Sequence, residues 1–579
     1  MLLLHAVTVA AEACTGPLPP AADAWSALVA AEAAAREPVR GLLLRPEIGN
    51  WAAYALRRHR GRAAASTSPL WLDLGVVHTV ALLASAEAGL PWRTRLPARE
   101  GRVMLPGRGM ARFPLTGSAD NAGAAVVDAE TTDGRIRLRW RGSSLEVPAP
   151  DAPEPEGWLG LRTVRVEGPP RLAVVLDDVD PFRNLAEPLP PDRLSDAEFA
   201  SWQKLLGEAW ALLCQEHPRT AAAMAEGLVC VVPLPDDGWG IRSASTGEAF
   251  GSVLISQPSD ATSLALSLVH EFQHTKLGGL MHLSAICRLA QDGAPDLYYA
   301  PWRDDPRPLA GLVQGLYAFV GIMTFWKRHR EQAHGGDRKL ADFEYAYARL
   351  QVGLAIAETR RSDRLAPWGE ALVQRLSETL ESWSPGTDER DVAEVASLLA
   401  EFHRAAWLAR HMPEPAQAEV VTLAKAYLAG DQPHDTDQAQ VLDTWGDDGS
   451  EIESVERVAH KKRWSLGLSI LIRHHLATPD ADVPARLRDR GIDVADSALV
   501  RGDLGAARAG YLTRISAAAE DVDAWVGLGL ADPSCAITQS RARLVAAVYR
   551  RLSKLGAPPD PAELAAWFRP VANARRGRR

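Results

Sequence analysis

The amino-acid sequence predicts an α+β fold, predominantly helical. A helix carrying an HExxH motif belongs to a domain with a small β portion, and an all-α region of helical hairpins follows it. Three observations predict this. Ala/Leu-rich runs with helical periodicity fill residues 1–100 and most of the chain beyond 261. Between them, residues 101–177 are rich in Gly, Pro, Val and Arg, with apolar and charged residues alternating. The end of the chain again reads as Ala/Leu/Arg helical pairs. The texture thus divides into a helical N-terminal part (1–100), a β-containing part (101–260), a helical metal-site part (261–430) and a C-terminal helical accessory region (431–579).

The first run, MLLLHAVTVAAEA, lacks a positive leader and is interrupted by His5, Glu12 and Cys14, so it predicts an amphipathic helix rather than a cleaved signal. Further helices are expected over Ala21–Arg36, after Pro46, and over Leu72–Glu87. The segments RIRLRWRG, LRTVRVEG and RLAVVLD read as strands, because residues i and i+2 share one face of a sheet. Ser195 in SDAEF is an N-cap candidate for a long helix, and GLVCVVPL and GSVLISQ are two more short strands.

From Ala261 to about Arg410 the pattern is helical, with loops expected at Gly335–Lys339 and Ser384–Asp391. The acidic, Gly/Asp-rich segment Gly430–Glu451 marks the expected main boundary. Beyond it, RGDLGAARAGYLTRISAAAEDVDAWVGLGLA resembles one tetratricopeptide-type helix pair without a second repeat. The closing ARRGRR reads as a solvated basic tail.

A chain of 579 residues is long enough for several domains, and 47% hydrophobic with 24% charged residues is an ordinary globular balance. Sixty-four basic against 73 acidic residues give a net charge of −9, which offers nothing to nucleic acid or to an anionic membrane surface. The five cysteines are scattered without a CxxC pair, so neither a disulfide framework nor a cysteine zinc site is expected. A soluble, cytoplasmic protein without nucleic-acid or membrane partners is the expectation. The excess of Arg over Lys, and of Trp over Tyr, reads as genomic composition.

The informative segment is DATSLALSLVHEFQHTKLGGLMHL. His270 and His274 stand one helical turn apart, so both imidazoles leave the same face at a spacing that suits one metal ion. Glu271 lies beside the first ligand and is the candidate catalytic residue, able to reach a metal-bound water or to orient a ligand. A zinc peptidase would need a third protein ligand. The metzincin continuation is excluded, because Leu277 and Leu280 stand where its Gly and His belong. His282 could return only if Gly278–Gly279 broke the helix, since twelve helical residues from His270 rise roughly 18 Å. Residues 284–325 offer no gluzincin-type ExxxD pattern.

The next stretch, LYYAPWRDDPRPLAGLVQGLYAFVGIMTFW, puts Arg303 and Arg307 in a Pro-punctuated loop among Tyr298, Tyr299 and Trp302. On chemistry alone the two guanidinium groups either form a rigid fork for a carboxylate or pair with Asp304 and Asp305 to fix the loop. Gln314 is polar in an apolar helix and needs a partner, either a metal or a neighbouring helix.

With these residues in view, the chain resembles the HExxH-containing peptide-modification family of bacterial clusters for ribosomally made peptides, described as 2-oxoglutarate-dependent peptide β-hydroxylases. The resemblance runs from about Pro46 through Arg330. It rests on HEFQH together with YAPWRDDPRPLAGLVQGLYAF, and is supported by WLDLGVVHTVALLASAEAGLP, RLAVVLDDVDPFR and SASTGEAFG. It implies Fe(II) held by His270 and His274, with 2-oxoglutarate and O₂ as co-substrates and Arg303 or Arg307 on the distal carboxylate. The third ligand stays open; Gln314 is the first place to look, with Glu271 and Asp305 as the others. The implied substrate is a precursor peptide, hydroxylated at a side-chain Cβ, and other peptide-modifying enzymes are the implied partners. Two other readings stand beside it: a zinc metallopeptidase using the same histidines with Glu271, and a non-catalytic helical scaffold that binds peptides.

Overall fold

The computed structural model describes residues 2–568 apart from 64–65, 115–122, 151, 185–186, 237, 239, 289–296, 384–389, 434–465, 479–484 and 489–491. About 59% of the chain is helical and 13% is strand, which places it in a mostly helical α+β class. It divides into two compact units, one ending at Ser284 and the other beginning at Ala285.

The first unit opens with six helices, α1 (Leu2–Glu12), α2 (Ala21–Ala34), α3 (Arg36–Leu43), α4 (Pro46–His59), α5 (Leu70–Leu74) and α6 (Val76–Glu87). Pro46 sits at the first turn of α4, where a missing N–H costs nothing. An antiparallel sheet follows: β1 (Trp92–Arg99), β2 (Arg102–Leu105), β3 (Gly109–Arg112), β4 (Ala124–Thr132), β5 (Arg135–Trp140), β6 (Ser143–Glu146) and β7 (Trp158–Gly160), in the order β6-β5-β4-β1-β2-β3-β7. In β5 the arginines face out while Ile136, Leu138 and Trp140 are buried against the helices. Asp73, fully buried at the end of α5, takes ion pairs from Arg58 and Arg99 and so ties α4 and β1 together.

A second sheet has the order β11-β12-β10-β9-β8, from β8 (Arg162–Val166), β9 (Leu172–Leu176), β10 (Cys230–Leu234), β11 (Ser243–Ala244) and β12 (Ser252–Ser256). Strands β9, β10 and β12 are parallel, and β8 and β11 are antiparallel edges. Between β9 and β10 lie α7 (Asp196–Glu216) and α8 (Pro218–Gly227). A capping box starts α7: Ser195 and Glu198 each bond the other's backbone N–H. All five residues of β12 are buried, as a central parallel strand requires, and the chain passes from it into α9 (Ala261–Leu283).

The second unit contains a two-residue pairing of β13 (Leu297–Tyr298) with β14 (Arg307–Pro308) and is otherwise helical. Its helices are α10 (Leu309–Gln332), α11 (Gly335–Thr359), α12 (Pro367–Ser382), α13 (Arg390–His411), α14 (Gln417–Ala429), α15 (Leu466–Ala477), α16 (Ala485–Arg488), α17 (Val494–Val500), α18 (Leu504–Ala517), α19 (Val522–Ala531), α20 (Thr538–Lys554) and α21 (Pro561–Trp567). One apolar core joins α11 and α13 to the later helices through Phe343, Phe402, Tyr511, Trp525 and Tyr549. The hairpin expected in the accessory region is α18–α19, joined by Arg514 of α18, whose Nε and Nη2 donate to Asp521, the N-cap of α19, at 3.0 and 2.9 Å.

Several expectations need correction. The units meet at Ser284/Ala285 rather than near 430 or at 260, because α9 packs on α7, β11 and β12 and so stays with the preceding sheet. Gly335–Lys339 is not a loop but the first turn of α11. The helix expected over Leu72–Glu87 is two pieces that meet at Gly75. Most of Gly430–Glu451 and of Ser384–Asp391, and the ARRGRR tail, lie outside the described residues. Leu70–Glu87 and Leu309–Gln332 are long and apolar enough to cross a membrane, yet 78% and 61% of their apolar windows are buried within the protein.

Candidate metal centre

The helix α9 begins at Asp260, whose carboxylate caps the Ser263 N–H at 2.8 Å. Leu264, Leu268, Phe272 and Leu277 form its buried stripe. That stripe leaves His270 and His274 half-buried on a neighbouring face. Their Nε2 atoms stand 3.0 Å apart and the rings cross at 85°. Two nitrogens at right angles on one ion, with bonds of about 2.1 Å, would be about 3.0 Å apart, whereas a tetrahedral pair would stand at about 3.4 Å. The same separation suits a hydrogen bond between neutral imidazoles. Burial lowers the His270 pKa to about 4, so the ring keeps its metal-binding neutral form well below neutral pH.

Glu271 is 2% exposed, and both its carboxylate oxygens are engaged. The Ser243 hydroxyl donates to Oε1 at 2.6 Å and the Ser245 hydroxyl donates to Oε2 at 2.7 Å. Oε1 lies 3.9 Å from His270 Nε2. A peptidase base must present a carboxylate oxygen to the attacking water. Here each carboxylate oxygen accepts one serine hydroxyl, which fixes the Glu271 side chain against Ser243 and Ser245.

Both serines come from the edge strand β11 and the residue after it. They are two positions apart in extended chain, so their hydroxyls share a face. In the sequence SASTGEAFG carries no assigned role for these hydroxyls; the Ser-x-Ser spacing is the signal that points to them. The loop beyond them is pressed between two helices. The carbonyl of Glu248 lies where a Cβ on Gly49 of α4 would stand, and His282 Nε2 would be 2.6 Å from a Cβ on Gly247. Arg57 of α4 adds an ion pair to Glu248 at 2.8 Å. His282 is exposed at the end of a helix that runs unbroken through Gly278 and Gly279, so it is remote from the Nε2 pair. Replacing Ser243 and Ser245 with Ala is expected to cost about 1–3 kcal/mol for each hydroxyl lost from the buried carboxylate, read as a lower urea midpoint.

Arg303, Arg307 and Gln314 belong to the second unit. Arg303 Nε and Nη2 donate to Asp305 at 2.9 and 3.3 Å, and Arg307 Nη1 is 3.6 Å from the same carboxylate. Two guanidinium groups thus share one acid, which they hold below the usual carboxylate range against the effect of its burial. The loop is fastened at three points. Tyr299 Oη bonds His403 Nδ1 at 2.8 Å, Gln351 Nε2 donates to the Pro301 carbonyl at 3.0 Å, and His411 Nε2 meets the Asp304 carbonyl at 2.6 Å. Trp302 stacks on Phe319 at 4.3 Å and lies over Gly315, and the Arg307 guanidinium lies over Gly311, so two small residues of α10 seat the loop. Gln314 is half-buried on the same helix. Among the described residues, no group of three or more His, Cys, Asp or Glu side chains is arranged to hold a metal, so the clearest ligand set is the His270–His274 pair. No protein-family model matches the chain, and no curated protein matches it.

Proposed function

We propose that the chain is an Fe(II)- and 2-oxoglutarate-dependent dioxygenase that hydroxylates a side-chain Cβ in a ribosomally made precursor peptide. The observation that carries this reading is the site's division of labour: two imidazoles 3.0 Å apart at a right-angle ligand spacing, beside a glutamate withdrawn into a serine clamp. His270 and His274 would hold the iron, which with 2-oxoglutarate and O₂ supplies the oxidising chemistry when bound. Glu271, oriented by Ser243 and Ser245, fixes the ligand face of α9 and is not the base for a hydrolytic water. Arg303 and Arg307 are the candidates for the distal carboxylate of the co-substrate, exchanging part of their hold on Asp305 for it. Gln314 is the proposed site for a third ligand.

A peptide substrate is also supported by the edge strand. Arg242 O accepts from Ser256 N–H at 2.9 Å, so residue 242 faces β12 and, by alternation, Ser243 and Ser245 turn their N–H and C=O groups to the open side. An extended peptide can pair there, beside the histidines.

Anaerobic reconstitution followed by exposure to O₂ tests the reading. Succinate is expected to form only with both Fe(II) and 2-oxoglutarate, and Arg303→Ala or Arg307→Ala should raise the 2-oxoglutarate KM about tenfold or more, as loss of a charge-assisted pair does. Zinc-supported peptide cleavage without succinate would instead establish a metallopeptidase.

A further inference from the structure

In the first unit, away from the histidines, three buried carboxyl groups from two parts of the chain meet. Asp177 and Asp180 follow β9 in one tight turn, where Asp177 Oδ1 accepts the N–H groups of Val179 at 3.1 Å and of Asp180 at 2.9 Å. Asp180 Oδ1 in turn accepts the Phe182 N–H at 2.7 Å. Glu47, in the first turn of α4, pairs through Oε1 with Arg45 at 2.7 Å. The three residues are 0%, 1% and 3% exposed respectively, and in each the second oxygen, Oδ2 or Oε2, is buried without a hydrogen-bond partner.

The surrounding charges do not balance. Arg45 answers Glu47, and Arg183 spends its donors on the carbonyls of Asp180 and Pro190. Asp178 has its own arginines, Arg162 at 2.8 Å and Arg193 at 3.0 Å. The remaining neighbours are neutral: the buried Cys230 thiol, held protonated by burial, and the Asn50 amide, bonded to the Phe182 carbonyl. Asp177 and Asp180 therefore share one cation between them. A buried carboxylate with no counter-charge is resolved more cheaply by a proton than by strain.

We propose that Asp177 and Asp180, beside the Glu47 carboxylate, hold one proton between them at neutral pH, and that this proton keeps α4 seated on the 177–183 turn. Burial, reinforced by repulsion from the neighbouring carboxylates, raises Asp177 to about 6 and Asp180 well above its ordinary value. A carboxyl with a raised folded pKa contributes stability that is full at low pH and is lost as pH rises through that pKa. The buried histidines His78 and His403, each lowered to about 4 by burial, act the other way, and only below about pH 6.5. Alkaline of neutral, the carboxyl cluster acts without them. Because α4 also carries Gly49, which lies against Glu248, ionisation of the cluster loosens the loop that clamps Glu271.

The test is urea unfolding of the full chain between about pH 6.5 and 8.5. The unfolding constant of the wild type is expected to rise with pH, by up to tenfold per unit, and that of Asp180→Asn to stay flat. Glu47→Gln repeats the comparison should Asp180→Asn fail to fold. An infrared carbonyl band of a buried protonated carboxyl should be present near pH 6.5 and vanish on titration. Equal slopes in wild type and variants, or absence of that band, overturns the proposal. So does a shift of the midpoint on adding Ca²⁺ or Mg²⁺ that the wild type shows and Asp180→Asn does not, which would put a cation where the proton is placed.

Discussion

His270→Ala and His274→Ala are each expected to lower the affinity for Fe(II), or for Co(II) as an air-stable stand-in, by at least ~100-fold. Removing only the outer partners of a metal's ligands costs 10–100-fold, and here one of the two proposed direct ligands is lost. The measurement is titration of the apoprotein followed by the absorption of the Co(II) complex. The fold should survive either substitution, because both rings are half-buried and the stripe that seats α9, Leu264, Leu268, Phe272 and Leu277, is untouched. Unaltered metal binding in both variants would remove the foundation of the oxygenase reading.

Gly49→Ala is expected to destabilise the first unit by about 3 kcal/mol, although it adds only one methyl group. That methyl would overlap the Glu248 carbonyl oxygen, which belongs to backbone and cannot swing aside as a flexible side chain would. The loop must move, carrying Ser245 away from Glu271. The urea midpoint and the Co(II) affinity should therefore fall together. Gly207→Ala, on an open face of α7, is the control and should be neutral or slightly stabilising. A Gly49→Ala chain as stable as the wild type would show that the 245–250 loop is free to retreat.

Much of this was legible because local rules govern it. Pro46 and Ser195 announce helix starts through backbone chemistry that needs no tertiary partner, and the alternation of RIRLRWRG is the burial pattern of β5 itself. The histidine spacing is likewise local, one helical turn. The charged stretch Gly335–Lys339 misled, because it heads a helix whose later residues Phe343 and Tyr345 pull it into the core. The serine clamp was not legible as such, since β11 is two residues long and gains its meaning only from α9 beside it. Nor was Gly49, whose requirement comes from a carbonyl distant in sequence. The sequence assigns no role to the acids of RLAVVLDDVDPFR; only their burial turns them into a charge problem.

The arginine loop of the second unit has little regular structure, yet three side chains from two helices, α11 and α13, hold Tyr299, Pro301 and Asp304 in place. Conformational freedom that a ligand would otherwise remove is thus already spent during folding. The recognition of a dianion proposed for this loop would gain from having its ordering entropy settled in advance, and its backbone amides should exchange with solvent at the pace of the helices that grip them rather than that of a surface loop.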